Sequence, residues 1–543
     1  MMSIQRLLYC FVLAASLFSL SSCVDEDTKG LLPEEEAYNS STNLYINTVA
    51  TLYNYIGGNS DSQGLEGTVR GLYDYNTFTT DEAIIPTRGG DWYDGGFWQD
   101  LYRHTWRNYD EALYATWLYL YKAVGQCNLS LDRLDRYGKT MLTEHELAVS
   151  KAEVRALRAM FYYYLMDLFG RIPLHLTTEM KHVEQPERSV TYRFIVSELQ
   201  ECAPLLSNKM SQHEGYYYGK FTQGAAYFLL AKLALNAEVY ADDCWTDNVR
   251  PEGKDIFFTV DGQQLNAWQA TQAYCRKVED LGYRLEADYA ANFCITNETS
   301  AENIFTIPMD KTLYTNIFKN LFRSRHYSHG SAVGTLSENG SCATVATVRT
   351  YGYGTPDEDA RFRLNCYADT VSVDGRVVIM QGGTPLVYMP LEVRLDLTGS
   401  PYEKTAGARM YKYEIDRTAY ADGHLQSNDI VLFRYADILL MRAEAKVRNG
   451  EDGTDDLNAV RRRVGMAERQ ATLATILDER LMELMWEGWR RQDLIRYGLF
   501  HKAYDQRPQL DGEDDAHTTV FPIPQRAISL NGTLKQNPGY ETE

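Results

Sequence analysis

The chain has 543 residues, with 74 acidic against 54 basic side chains and a formal net charge of −20. Binding to a phosphate backbone rests on clustered Lys and Arg, so a nucleic-acid partner is set aside. With 44% hydrophobic and 24% charged residues, the composition is that of a globular protein able to bury one large core or two to four ordinary ones.

Residues 1–22 read as a signal peptide: Arg6 supplies the positive start, and 7–20 is an apolar run too short to span a bilayer. It ends in Leu20-Ser21-Ser22-Cys23, the pattern that lipoprotein signal peptidase cleaves. Cys23 is thus the expected lipidation site; an ordinary secretory leader with a chance cysteine is the alternative. Acyl chains contribute about 0.8 kcal/mol per buried CH₂, enough to hold the protein on a membrane through this anchor alone. An acidic tether, Val24-Asp25-Glu26-Asp27, follows. With Cys10 and Cys23 removed, seven cysteines remain, widely spaced and without zinc-ligand spacing. They read as mainly buried thiols, with one disulfide left open.

Further along, 38–56 predicts a first helix, 57–67 a loop, and 97 to about 134 a longer helix. In 150–169 the residues Leu157, Met160, Phe161, Tyr164, Leu165 and Leu168 form one helical stripe, stopped by Gly170 and Pro173. Helices are also predicted over 190–206, from Thr222 as cap, and over 267–281. From 288 to 427, glycines and short apolar runs (304–308, 377–380, 385–389) predict long loops with a few short strands. Helix is expected to return at Asp429, then over 455–464 and 473–497. The proline-fixed segments 521–524 and 536–540 are expected to pack on the surface. The fold class is mainly α, in three parts: a helical part (about 36–287), a loop-rich part (about 288–427) and a helical part (about 428–543). Helix pairs that cannot bury their own faces must stack on neighbours, in the manner of tetratricopeptide units, although no strict 34-residue period is present.

Two stretches concentrate chemistry. In 80–106, Trp92, Tyr93, Phe97 and Trp98 sit among the pairs Gly89-Gly90 and Gly95-Gly96, with Arg88, Asp91 and Asp94 beside them. Rings held on an open glycine loop suit ligand recognition, with charged groups at the rim. Trp92 and Tyr93 lie off any apolar stripe and are the leading ligand contacts. Trp98 is equally suited to core packing, while Phe97, Trp106 and Trp117 fit the core better. The second stretch, 316–330, adds His326 and Tyr327. A sugar presents C–H-rich faces and a hydroxyl rim, which needs this mixture. Two stacked rings and a few hydrogen bonds give roughly −4 to −6 kcal/mol, or about mM to tens of μM.

For enzyme chemistry the best candidates are Glu479, Glu483 and Glu487, one face of a helix, since glycoside hydrolysis uses paired carboxylates. Ion pairing with Arg480, Arg490 and Arg491 is the plainer explanation. No nucleophile-elbow, zinc-protease or phosphate-loop motif occurs. The acidic run 511–515 fits a solvated loop better than a cation site. No cofactor and no metal ligand set is indicated; a structural calcium is left open.

Several motifs then act together: IVLFRYADILLMRAEA at 430–445, LNAVR at 457–461, Glu479-Arg480 with Glu483, Glu487, Gly488 and Arg491, DLIRYG at 493–498, and the segments 521–524 and 536–540. With Leu157-Arg158-Ala159 through Phe169-Gly170 and Pro173, they give the chain a resemblance to the SusD/RagB family over nearly its whole length. The acidic tether resembles the surface-export signal of Bacteroidetes lipoproteins. The resemblance implies a SusD-like fold with four tetratricopeptide-like helix pairs. It also implies a non-enzymatic, cell-surface lipoprotein of the outer membrane that captures glycans for a SusC-like TonB-dependent transporter. A RagB-like peptide cargo, or a surface glycosidase using Glu483 and Glu487, are the alternatives.

Overall fold

Eight helices of ten or more residues stand among the described residues. In chain order they are α1 (Glu111–Met141), α2 (Glu144–Phe169), α3 (Arg188–Cys202), α4 (Gln223–Leu235), α5 (Ala267–Asp280), α6 (Tyr435–Arg448), α7 (Thr454–Arg463) and α8 (Leu473–Leu484). The computed structural model describes residues 33–540, apart from 59–62, 68–69, 180–182, 212–214, 216–217, 313–317, 319, 420–425 and 511–512. The signal peptide, Cys23, the acidic tether, and parts of the loop 57–67, the aromatic stretch 316–330 and the acidic run 511–515 lie outside the described residues.

Local chemistry starts the helices and packing keeps them. Thr143 caps α2 reciprocally with Glu146, and Asn266 caps α5 with Gln269. Every residue of α2 from 156 to 169 is buried, not only the predicted stripe. This helix is central, so its flanks are covered as well as its face. Helices adjacent in sequence pack together: α1 on α2, α2 on α3, α4 on α5, α5 on α6, and α6 on both α7 and α8. One core cluster runs through all of them. Six two-stranded sheets make up the described strands, most of them in the loop-rich part.

Four expectations change. The helix expected over 97–134 breaks: Phe97–Arg103 ends at His104, which turns left-handed at φ 60°, and α1 begins afresh at Glu111. Residues Ile430–Arg434 are a strand, paired antiparallel with Asn303–Ile307, and helix starts only at Tyr435. A continuous apolar run fits either state, and here the fully buried partner strand decides it. The helix expected over 473–497 breaks after Leu484, where Trp486 and Gly488 take φ 69° and 72°. The Trp486 N–H donates to Glu82 Oε1 (2.7 Å) and its indole to the Asn365 carbonyl (3.2 Å), tertiary bonds in place of helical ones. Nor do the C-terminal segments ride on the surface: Phe521 and Ile523 are buried, and Asn537 Nδ2 donates to the Phe169 carbonyl (2.8 Å) at the open end of α2.

The glutamates of α8 form an ion-pair network, but with distant partners. Arg434 donates to Glu302 and Glu483 (2.6 Å each) and to Glu487 (2.7 Å), and Arg361 reaches Glu483 (3.0 Å) and Glu479 (2.6 Å). Arg463 also pairs with Glu483. Burial alone would raise the Glu483 carboxyl, yet Arg463, Arg434 and Arg361 together pull it well below the usual range. The sequence neighbours point elsewhere: Arg480 to Asp437 and Asp493, Arg490 to Asp81, Arg491 to Asp167. Glu513, expected in a solvated loop, is buried against Arg507 and His104. All seven cysteines are free thiols.

Glu82 is the exception among these acids. Burial pushes its carboxyl from 4.5 up to about 8, against the pull of the Trp486 N–H, Lys412 and Arg490. A folded pKa above the unfolded one means folding takes up a proton between about pH 4.5 and 8, so stability falls as pH rises through that window. Glu82→Gln keeps an acceptor for Trp486 and loses the titration. Its melting temperature relative to the native chain is expected to rise steadily from pH 5 to pH 8; a constant difference would contradict the assignment.

Candidate functional site

The two chemical stretches come together in space, joined by one carboxylate. Asp91 accepts from the Tyr327 hydroxyl (3.1 Å) and from Lys404 Nζ (3.0 Å). Lys404 also donates to the Arg88 carbonyl (3.2 Å). The turn carrying Asp91 closes on itself through Arg88 N–H to the Asp91 carbonyl (2.9 Å) and Asp91 N–H to the Arg88 carbonyl (3.3 Å).

Most of the first stretch supports this turn from behind. Arg88 is fully buried, and its guanidinium donates to the carbonyls of Gly340 (3.2 Å), Glu403 (3.0 Å) and Ala406 (3.0 Å). It cannot meet a ligand, and its expected rim role gives way to a structural one. Trp98 is buried too, its indole donating to Asp94 Oδ2 (2.7 Å) and its ring flanked by Phe78 and the Arg323 guanidinium. Asp94 is further engaged by Arg70 at 3.2 Å. Trp92 is half-buried: its indole donates to the Glu338 carbonyl (3.0 Å), and its ring meets Trp98 edge-on at 6.2 Å. The ring also lies on Gly340, where a Cβ would come within 2.7 Å of it, so only glycine admits it. Trp92 therefore anchors the turn to the 335–340 loop. Tyr93 alone of the first stretch's rings stands well out, at 57% exposure.

The second stretch presents an exposed ring of its own. His326 is buried and caps the helix Tyr327–Val333, its Nδ1 accepting from the Ser328 N–H (3.1 Å). Burial, then Arg409, Arg88 and Lys404, push its imidazole down to about 4, so it is neutral at physiological pH. Its Nδ1 is taken up by the cap, while the ring lines the second of the clefts described below. Tyr327, the next residue, is 46% exposed. Its helix is docked through Tyr388, whose hydroxyl accepts from the His326 N–H (2.9 Å). Tyr388 belongs to a small apolar cluster with Val371, Val378 and Leu386, built on the hairpin of Ser372–Val373 and Arg376–Val377. Strand alternation then sets the surface: Val378 points in, while Val377 (45% exposed) and Ile379 (52%) point out.

Two open clefts meet at Tyr327 and Ser328. One, of about 780 Å³, lies between the Tyr327 helix and the hairpin, with Val377 and Ile379 on its wall. The other, of about 600 Å³, runs from Tyr327 past Met380 and Gln381 to Pro401 and Lys404. An exposed ring with apolar ledges on one side and amide and charged groups on the other can cover the face of a ligand and bond its rim. Val377, Ile379 and Lys404 escape a sequence reading. The run 377–380 announces a strand but not which face is outward, and Lys404 meets Asp91 across 313 positions.

Described this way, the molecule is a helical scaffold whose loop-rich part carries two open clefts. Two family models match the chain, the SusD family over residues 357–540 and "starch-binding associating with outer membrane" over 36–235. Starch-binding protein SusD of Bacteroides thetaiotaomicron is 24% identical, and SusD-like protein P25 of Formosa agariphila 22%, each aligned over 99% of this chain and at least 99% of the relative. The chain belongs to the SusD family. Among solved structures, surface glycan-binding protein A from Bacteroides thetaiotaomicron in complex with laminarihexaose superposes with a TM-score of 0.68 at 19% identity, covering 92% of this chain and 100% of that one. A SusD-like protein from Bacteroides fragilis gives 0.70 at 20%, covering 93% and 98%.

Arg88→Ala separates support from contact. Three carbonyls lose their donor, two of them in buried bonds, at about 1–3 kcal/mol for each buried group left unsatisfied. A loss of about 3 kcal/mol or more in urea unfolding is expected; unchanged stability would contradict the buried placement.

Proposed function

We propose that the chain is a surface-anchored glycan-binding lipoprotein that captures oligosaccharide and delivers it to a SusC-like TonB-dependent outer-membrane transporter. The observation that carries the binding role is Tyr327: an exposed ring at the meeting of two open clefts, its hydroxyl fixed by Asp91. A sugar ring stacks on its face, Val377 and Ile379 take C–H edges, and Gln381 and Lys404 stand at hydroxyl height. The names of the starch-binding relative and the laminarihexaose complex support a glycan as ligand. Membrane attachment is assigned to acylated Cys23. Among the described residues, no helix is long and apolar enough to cross a bilayer.

A hydrolytic role for Glu483 and Glu487 finds no support in their surroundings. Both are buried, and Arg434 engages both, joined by Arg361 and Arg463 at Glu483 and by Lys412 at Glu487. Carboxylates so held line neither of the two clefts and do not trade protons with a substrate.

A single stacked ring contributes roughly 0.5–1.5 kcal/mol beyond its burial. Tyr327→Ala is therefore expected to weaken glycan binding about tenfold, read by isothermal titration across a panel of oligosaccharides, with the fold intact by circular dichroism. An unchanged dissociation constant for every bound glycan would remove Tyr327 from the site.

A further inference from the structure

Resting on the glycan-binding reading, we propose that Arg376 is a ligand contact of the larger cleft, and that the glycan it selects carries an anionic substituent, a carboxylate or a sulfate ester. Arg376 lines the same cleft as Tyr327 and is exposed. It makes no hydrogen bond and no ion pair among the described residues. The other charged groups of the two clefts are taken. Lys404 pairs with Asp91 at 3.0 Å and lies 3.7 Å from Glu403. Asp374 accepts two bonds from Arg417, at 2.9 and 3.0 Å. Arg376 is left with the five N–H donors of its guanidinium open.

The turn before it keeps that guanidinium available. Asp374 and Gly375 take φ 52° and 75°, the two left-handed positions of a tight hairpin turn, and so join Ser372–Val373 to Arg376–Val377. Asp374 is the acid on which Arg376 acts, yet the hydrogen bonds from Arg417 come first in holding its carboxyl below the usual range. Both of its oxygens already accept from Arg417. Two guanidiniums meet one carboxylate here, so the hairpin carries local positive charge in a chain whose net charge is −20. That net charge repels a polyanion at a distance, but salt screens it beyond about 8 Å at physiological ionic strength. Inside the cleft the local cation decides.

Across the cleft, Ser328 and Ser331 stand three residues apart on the Tyr327 helix, hence on one face of it. Their hydroxyls make no hydrogen bond among the described residues. Hydroxyl donors and a planar guanidinium fork are the groups that bind a carboxylate or a sulfate. A charge-assisted bond is roughly twice as strong as one between neutral groups, so an open guanidinium gains more from an anion than from a neutral rim. A sugar stacked on the Tyr327 ring thus turns an acidic group toward Arg376 on the opposite wall.

The test titrates the mature protein against matched pairs: oligogalacturonate and its methyl-esterified form for the carboxylate, κ-carrageenan oligosaccharide and its desulfated form for the sulfate. Laminarin and amylopectin complete the panel. At least one acidic member is expected to bind about tenfold more tightly than its neutral counterpart. Its affinity should fall between about 20 and 500 mM NaCl, as screening weakens the contact. Arg376→Gln should erase the difference within the pair, and Arg376→Lys should restore part of it, with circular dichroism checking the fold of each variant. Equal affinity within both pairs, an acidic preference that Arg376→Gln leaves intact, or binding to laminarin or amylopectin alone overturns the role of Arg376 and leaves glycan binding standing. Binding to no member of the panel overturns both.

Discussion

Arg434 is the constraint on which the rest depends. It ends the strand Ile430–Arg434 and immediately precedes α6, and its guanidinium reaches Glu302, Glu483 and Glu487. Those three carboxylates come from the edge of the partner strand, from α8, and from the left-handed break that follows α8. A buried pair contributes little against a well-packed apolar alternative, but removing one partner costs about 3–5 kcal/mol, because a charge is left stranded. What such a hub enforces is arrangement: strand pair, helix and break are held in one geometry.

From there the order passes to the two clefts at Tyr327. Lys412 donates to the carbonyls of Glu483 (3.0 Å) and Met485 (2.8 Å) and pairs with Glu487, tying the loop-rich part to the hub. Two residues back, the Met410 N–H and the Arg409 guanidinium take the hydroxyl and carbonyl of Ser324, 2.8 Å each, three positions before Tyr327. Arg88 performs the same task for the Asp91 turn. Buried arginines aimed at backbone carbonyls let long, irregular segments hold fixed positions without regular secondary structure. The exposed ring of Tyr327 thus stands on a stiff base, which suits weak, reversible capture at low ordering cost.

How much of this was legible depended on range. The stripe of α2 and the stop at Gly170 are local, and they hold. The breaks at His104 and Trp486, and the strand at 430–434, turn on partners more than a hundred positions away, such as Glu82 for Trp486 and 303–307 for the strand. No periodicity carries that information. At the candidate site, the two aromatic stretches named from sequence do meet, through Asp91 and Tyr327, but burial gives Arg88 and Trp98 supporting places. Glycine-flanked Trp92 looked like a free platform, yet its indole N–H found the Glu338 carbonyl and its ring found Gly340. Tyr93 is the more exposed ring, but Tyr327, the weaker candidate by composition, is the one that lines both clefts. Asp91, expected at a ligand rim, is where the two stretches join.

The central claim is that ligand is held where the two clefts meet at Tyr327. Hydrogen exchange, with and without a saturating oligosaccharide that binds, tests it most directly. Protection is expected to gather in three segments, 326–333, 372–381 and 400–405, with the helices α1 to α8 unchanged. Protection of a helical face, with those three segments exchanging as before, would contradict the account.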